Sequence, residues 1–262
     1  MARKIVITSG KGGVGKTTVT AELALKLSLQ GLRVAVVDVD FGLNNLDVAM
    51  GLEDKIVYDI SDVLNGRCRL KQALVQDGGH KNLYLLSSNN LCDGTAITGQ
   101  KLKCLIESLS PTFDYILFDS PAGIDSGFER AVACADEAIV VTTTSTSCIR
   151  DADKVISLLK GYRLDKIGVV VNRVRGDLIL DNLSLDIATV ENILKTKVIG
   201  VIPDSDEVLL SCGDGVPSKS RAGKAFKMLA NNIEKGTTKL YDPTRRYLGL
   251  IGSIKRGLKR TV

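Results

Sequence analysis

The 262-residue chain has no tryptophan, one histidine, five prolines and only 4% aromatic residues. The lone histidine, His80, stands in the polar stretch DGGHKN and reads as a loop residue, which excludes a mechanism built on a histidine base. Six cysteines (Cys68, Cys92, Cys104, Cys134, Cys148, Cys212) are scattered with no CxxC pair. That spacing excludes a cysteine-rich metal site or a disulfide scaffold and predicts reduced thiols. No apolar run approaches the roughly 18 to 20 residues needed to span a bilayer. MARKIVITSG starts a strand without a long apolar stretch or cleavage site behind it, so the chain is expected to be mature and cytoplasmic. What is present is an ordinary folding composition, 44% hydrophobic and 25% charged.

Charge is unevenly placed. The net charge is +5, yet residues 243–262 alone hold Arg245, Arg246, Lys255, Arg256, Lys259 and Arg260 and no acid. The rest of the chain is close to neutral, so the basic character belongs to one end and points to an anionic partner there.

Seven apolar, β-branched runs read as buried strands: 4–9, 33–40, 83–88, 115–120, 138–144, 167–174 and 197–203. Helical patterns lie between most of them. TTVTAELALKLSLQG is closed by Gly31, where a left-handed cap is expected. Strands of this kind alternating with helices predict one α/β domain, a mostly parallel twisted sheet with helices on both faces. The domain is placed at 1–236, followed by a linker and C-terminal amphipathic segment at 237–262.

Function in such a sheet sits at the carboxyl ends of the strands. Gly10-Lys11-Gly12-Gly13-Val14-Gly15-Lys16-Thr17, followed by Thr18, fits G-x-x-x-x-G-K-[ST] between a strand and a helix. Glycines there let backbone N–H groups form a cradle for phosphate oxygens, and the helix points its positive end at the same place. Lys16 can reach the β- and γ-phosphates, and the Thr17 hydroxyl can ligate Mg²⁺. This is a P-loop NTPase site, with ATP and Mg²⁺ as the expected ligands. Asp119 closes one apolar strand, in the place usual for the acid that orients Mg²⁺. Asp38 and Asp40 close another, and either can position a water for in-line attack. Lys16 already serves the phosphates in cis, which leaves Lys11 as a second cation able to act on another molecule's nucleotide.

The tail has its own pattern. Tyr247, Leu250, Ile251, Ile254 and Leu258 recur at spacings of three and four, with Lys255, Arg256, Lys259 and Arg260 to the sides and rear. Such a segment can lie in a membrane interface, apolar face among acyl chains and cations near anionic headgroups. Gly249, Gly252 and Gly257 weaken the free helix, so folding on binding is expected. A basic end docked on its own domain, or one binding DNA through phosphates, remains open from the residues alone.

KGGVGKTT resembles the deviant Walker A loop, with its signature extra lysine, of the MinD/ParA family of dimerising ATPases. DVDFGLNNLDVAMG (38–51) and FDSPAGID (118–125) are similar to the septum-site branch of that family. The similarity continues through VNRV (171–174), GVIPDSDEV (200–208), KSRAGKAF (219–226) and the basic end. This resemblance implies an ATP-dependent sandwich homodimer. Lys11 would act on the partner's phosphates; Lys16, Thr17 and Thr18 would bind the subunit's own nucleotide. Asp40 would hold the catalytic water, while Thr17, Asp38 and Asp119 would serve the metal. Asn172 and Arg173, with Pro203 and Asp204, would hold the adenine, and Asn45 would lie at the dimer interface. Implied partners are an anionic membrane surface, a MinC-like division inhibitor and a MinE-like or equivalent topological factor. Hydrolysis would be slow and partner-stimulated, with the ATP-bound form peripheral on the inner face of the cell membrane. A DNA-partitioning role of the ParA kind is the alternative. After the strand 138–144 the chain reads Thr144-Ser145-Thr146-Ser147-Cys148, where family members often have Pro-Glu. Ser126, seven residues after Asp119, stands where a cluster-binding relative would need a cysteine, which argues against an iron–sulfur cluster.

Overall fold

The computed structural model describes residues 1–41, 45–88, 97–211, 213–249 and 252. In chain order the elements are β1 (Arg3–Thr8), α1 (Lys16–Ser28), β2 (Val34–Asp38), α2 (Leu46–Met50), α3 (Ile60–Leu64), α4 (Leu70–Ala73), β3 (Leu74–Gln76), β4 (Leu83–Leu86), α5 (Gly99–Leu109), β5 (Tyr115–Asp119), α6 (Ser126–Ala133), β6 (Glu137–Thr142), α7 (Thr146–Leu159), β7 (Lys166–Val174), α8 (Gly176–Leu180), α9 (Ile187–Leu194), β8 (Val198–Pro203), α10 (Asp206–Leu210) and α11 (Arg221–Lys235). Short 3₁₀ turns cover Glu53–Lys55 and Arg245–Tyr247.

The sheet runs β3-β4-β2-β5-β1-β6-β7-β8. Its strand pairs are parallel except β3 with β4. The seven expected strands are all there. The eighth, β3, is a three-residue edge strand in a hairpin with β4. It is too short to carry an apolar run, so no sequence period announces it.

Alternate residues of each strand feed two cores. Val6, Val37, Phe118, Val140 and Val171 face one cluster, which also takes side chains from α5, α6, α7 and α9. Ile5, Ile7, Val36, Leu117, Val141 and Val170 face the other, against α1 and α11. Both faces being covered explains why the strands read as continuous apolar runs rather than alternating ones. β1 lies between β5 and β6, with Ile7 level with both Asp119 and Ile139. The carboxyl ends of β1, β2 and β5 therefore meet at one edge, with Asp38 opposite Asp119.

α1 falls on the pattern TTVTAELALKLSLQG to within a few residues, and Gly31 takes φ +90° after it. α1 is buried nearly all round and carries a buried Glu22–Lys26 pair at 3.3 Å. Glu22 Oε1 accepts from the Val216 amide (2.6 Å) and Lys26 Nζ donates to the Val216 carbonyl (2.9 Å), so the pair pins that loop. The short helices α2, α3, α4, α8 and α10 were not expected, because one turn displays no period. α3 is set instead by a capping box between Asp59 and Asp62.

Residues 240–247, assigned above to the linker and tail, pack on the domain. Leu240 joins one core and Tyr241 the other, and Tyr247 is 4% exposed. Tyr247 is thus a buried anchor in the described chain, not part of a free apolar stripe. Leu250, Ile251, Ile254, Lys255, Arg256, Leu258, Lys259 and Arg260 lie outside the described residues. Among the described residues no helix is long and apolar enough to cross a membrane.

Candidate nucleotide site

The loop after β1 is shaped by contacts that only glycine permits. Gly13 and Gly15 adopt φ +78° and +90°, the left-handed region costly for other residues. A Cβ on Gly15 would come within 2.3 Å of the Asn172 amide nitrogen, and one on Gly10 within 2.3 Å of the Asp151 carbonyl of α7. Gly12 meets nothing within 4 Å. Asn172 Nδ2 donates to the Val14 carbonyl at 2.8 Å. The end of β7 therefore braces the loop from below through Asn172.

Beneath the loop is a buried polar cluster. Lys16 Nζ lies 3.2 Å from Asp119 Oδ1, and Thr17 Oγ1 donates to Asp119 Oδ2 at 2.7 Å. Thr20, which the motif does not cover, donates to Asp119 Oδ1 at 3.0 Å. Its place one turn after Lys16 is the signal that could have found it. Asp119 is 2% exposed and Asp38 1% exposed. Burial holds the Asp119 carboxyl above its ordinary value, outweighing Lys16 and the two threonines. Burial, then the charge of Asp119, pushes Asp38 well above the usual carboxylate range. Asp38 Oδ1 accepts the Asp40 amide at 2.9 Å, whereas the buried Oδ2 has no hydrogen-bond partner. Asp40 itself is half-buried at the rim.

That donor set fits Mg²⁺. Two facing carboxylates, one with an orphaned oxygen, and the Thr17 hydroxyl present hard oxygen atoms beside a phosphate cradle. Among the described residues no group of three or more His, Cys, Asp or Glu is arranged to hold a metal. Mg²⁺ is ordinarily bound by one or two carboxylates together with substrate phosphates, so such a cage is not needed.

Lys11 takes the opposite position. It is exposed, and its Nζ lies 3.1 Å from Ser147 Oγ, which is 3.1 Å from Ser145 Oγ. The segment that departs from the family pattern is therefore the one that holds the second lysine. Ser184 ties it from the other side, donating to Thr144 Oγ1 at 2.8 Å. Asn45 is exposed where α2 begins.

A cleft beside the loop is lined by Gly15, Thr18, Asn172, Arg173, Pro203 and Asp204, the residues expected around the base, together with α10. Its shape comes from a bulge at the end of β7. Arg173 takes φ +54°, the pairing with β8 shifts between Val171 and Val174, and the Asp204 amide donates to the Val174 carbonyl at 3.1 Å. Val208 and Leu209 of α10, not foreseen, add an apolar wall. A larger cavity of about 340 Å³ lies at the opposite edge of the sheet, where Arg3 is already paired with Glu137, Tyr115 and the Ile233 carbonyl.

Phosphate loop, paired carboxylates and base cleft thus form one continuous site. A model of the CobQ/CobB/MinD/ParA nucleotide-binding domain matches residues 5–217. The chain belongs to this family. Within it the chain is similar to MinD proteins: it is 41% identical to the septum site-determining protein MinD of Bacillus subtilis over 97% of both chains. The MinD of a MinC:MinD complex from Aquifex aeolicus is 40% identical, with a TM-score of 0.83 over 91% of this chain and 98% of that one. MinD of Pyrococcus horikoshii, solved with Mg-ADP, is 32% identical, with a TM-score of 0.80 over 90% and 97%. The family match at residues 5–217 spans the loop, Asp38, Asp119 and the cleft.

Proposed function

We propose that this chain is a MinD-type ATPase that places the division site, dimerising on ATP and recruiting a division inhibitor to the membrane. The observation that carries the reading is the pair of lysines in one loop, Lys16 buried on Asp119 and Lys11 exposed at the rim. A cis phosphate site needs only the first. The second, exposed at the rim, would serve a nucleotide outside its own subunit, as a trans-acting cation does in phosphoryl transfer. The identity to septum-site proteins favours this reading over DNA partitioning.

Roles follow from position. Backbone amides of Gly10–Gly15 cradle the phosphates, Lys16 neutralises their charge, and Asn172, Arg173, Pro203 and Asp204 enclose the base. Thr17, Asp38 and Asp119 would hold Mg²⁺, which would supply charge neutralisation of the phosphates. Lys16, resting on Asp119, would neutralise the same phosphates from the protein side. Asp40, at the rim, orients the attacking water. Little covalent chemistry is asked of the protein; positioning and charge stabilisation do most of the work, so turnover is slow until a partner completes the site. Residues beyond Gly252 carry the cations that meet anionic lipid. One such segment holds weakly, and two on a dimer gain through effective concentration. The division inhibitor is MinC-like, and a MinE-like or equivalent factor triggers release, so the chain cycles between cytoplasm and inner membrane face.

Analytical sedimentation tests the core of this. The wild-type chain is expected to dimerise with Mg-ATP and stay monomeric with ADP. Equal mass with both nucleotides contradicts the switch.

A further inference from the structure

The base cleft and the root of the tail meet on one short turn. Arg173, with its left-handed backbone, lines the cleft. Just beyond it Arg175 forks onto Asp177, its Nε at 3.0 Å and 3.2 Å from the two carboxylate oxygens and its Nη2 at 2.5 Å. Asp177 is buried. Gly176, between them, lies under the backbone of the C-terminal segment: a Cβ there would come within 2.0 Å of the Pro243 carbonyl oxygen. Tyr247 then packs into the same place. It is buried, its phenol lies close enough to Asp177 to feel that charge, and Arg246 covers its ring at 4.3 Å. Burial and then the Asp177 charge hold its phenol above its ordinary value, so it remains a neutral donor. Gly252 closes against the Tyr247 backbone, where a Cβ would meet the carbonyl carbon at 2.3 Å.

None of this is needed to anchor a flexible tail. A tail that served only as a tether would leave the domain at α11, whose end is marked by Gly236 at φ +64°. Instead the chain stays on the domain, with Leu240 packed on one core and Tyr241 on the other, and places an aromatic ring against α8, just after the residues that line the cleft. Arg173 sits in a backbone region that costs a non-glycine residue free energy unless its surroundings enforce it. The residues that follow it are held by the Arg175–Asp177 fork and by the Asp204 amide on the Val174 carbonyl.

We propose that Tyr247 is a positioning residue for the nucleotide base, wedged against Asp177 so that the base-binding turn and the root of the tail form one coupled unit. The inference rests on the nucleotide reading of the site. It makes residues 240–247 part of the binding domain, and it gives tail and base a reciprocal influence: what displaces Tyr247 weakens the base contact, and a bound base steadies Tyr247. The phosphate cradle, shaped by the loop glycines, Lys16 and Asp119 and joined to β7 through Asn172, feels this coupling less.

Equilibrium titration of the full chain with a fluorescent ATP analogue, competed by ATP or by inorganic triphosphate, separates the two halves of the site. Tyr247→Ala is expected to weaken ATP by about tenfold while inorganic triphosphate changes less than about twofold. Tyr247→Phe keeps the ring and loses the hydroxyl beside Asp177, and about threefold is expected for ATP alone. Equal affinities for wild type and both variants overturn the proposal, as does an equal loss for ATP and triphosphate, which is general loosening. If Tyr247→Ala does not fold, Tyr247→Phe decides by the same ratio of ATP to triphosphate. A wild-type chain that binds neither ligand overturns the nucleotide reading and this inference with it, an outcome distinct from wild type binding and the variants matching it.

Discussion

On the floor of the phosphate loop, Lys16, Thr20, Asp38 and Asp119 are buried among β1, β2, β5 and α1; on its rim, Lys11 is exposed and Asp40 and Ser147 are half-buried. The floor is a place of low local dielectric, where every charge is either paired or displaced in its titration, and where removal of one partner exposes the full desolvation cost of the other. The rim is screened by water and salt, so its contacts are individually weak and easily exchanged. The proposed tasks use that difference: Lys16, buried on the floor, would meet the subunit's own phosphates, and Lys11, exposed on the rim, would be free to exchange Ser147 for a nucleotide outside its subunit.

Lys16→Ala breaks the floor. A fall in turnover of at least about 100-fold is expected, read by phosphate release with saturating Mg-ATP; turnover within a few-fold of wild type contradicts the cis assignment. Asp40→Ala tests whether the rim carries chemistry. Turnover should fall about 100-fold while ATP affinity holds and dimers accumulate in sedimentation. If Asp38 is instead the residue that orients water, Asp40→Ala turns over normally. Lys11→Ala separates binding from bridging: ATP affinity of the monomer should stay within about threefold of wild type, as for an exposed lysine with no buried partner, and ATP-induced dimers should disappear.

Smaller effects sharpen the contrast. The Asp38 carboxyl is held well above its ordinary value, so the folded chain keeps that proton more tightly than the unfolded one. Stability therefore falls as pH rises from the ordinary carboxylate range through the raised value. Asp38→Asn should flatten this dependence and, without Mg²⁺ or nucleotide, raise the melting temperature at pH 7; each kcal/mol gained corresponds to about 2–4 °C in a chain of this size. A lower melting temperature would place the cost elsewhere. Ser147→Ala removes the resting contact of Lys11, worth under about 1 kcal/mol at an exposed site, and should tighten the ATP dimer by no more than about fivefold. A weaker dimer would mean that Ser147 itself belongs to the interface.

What the sequence disclosed follows the same division between local and distant causes. The loop, the closing aspartates and the continuous strands obey short-range rules, a spacing, a period, a glycine, and the structure places them where those rules put them. Gly15, Asn172 and Pro203 converge because the loop after β1 and the ends of β7 and β8 lie at the carboxyl edge of one sheet; Asn172 and Pro203 are reached through the family resemblance, since no local rule points to them. Thr20 went unnamed because the motif stops at Thr17, although its helical spacing from Lys16 was visible. The burial of Tyr247 was hidden for a different reason. Its partners, Asp177 and the Pro243 backbone on Gly176, depend on where the chain crosses after α11, and the three-and-four spacing of Tyr247 with Leu250 and Ile254 reads equally well as a membrane face. β3 and the one-turn helices were illegible because three to five residues carry no period.

The measurement that bears most directly on the account is co-sedimentation with vesicles of anionic lipid, using the full chain and a chain ending at residue 252, each with Mg-ATP and with Mg-ADP. Ending at 252 keeps Tyr247 and Gly252 in place and removes Lys255, Arg256, Lys259 and Arg260. The account predicts that only the full chain with ATP pellets with the vesicles. Pelleting that is indifferent to the nucleotide, or to the removal of residues 253–262, would contradict a switch in which ATP joins two subunits and so presents two tails to the membrane.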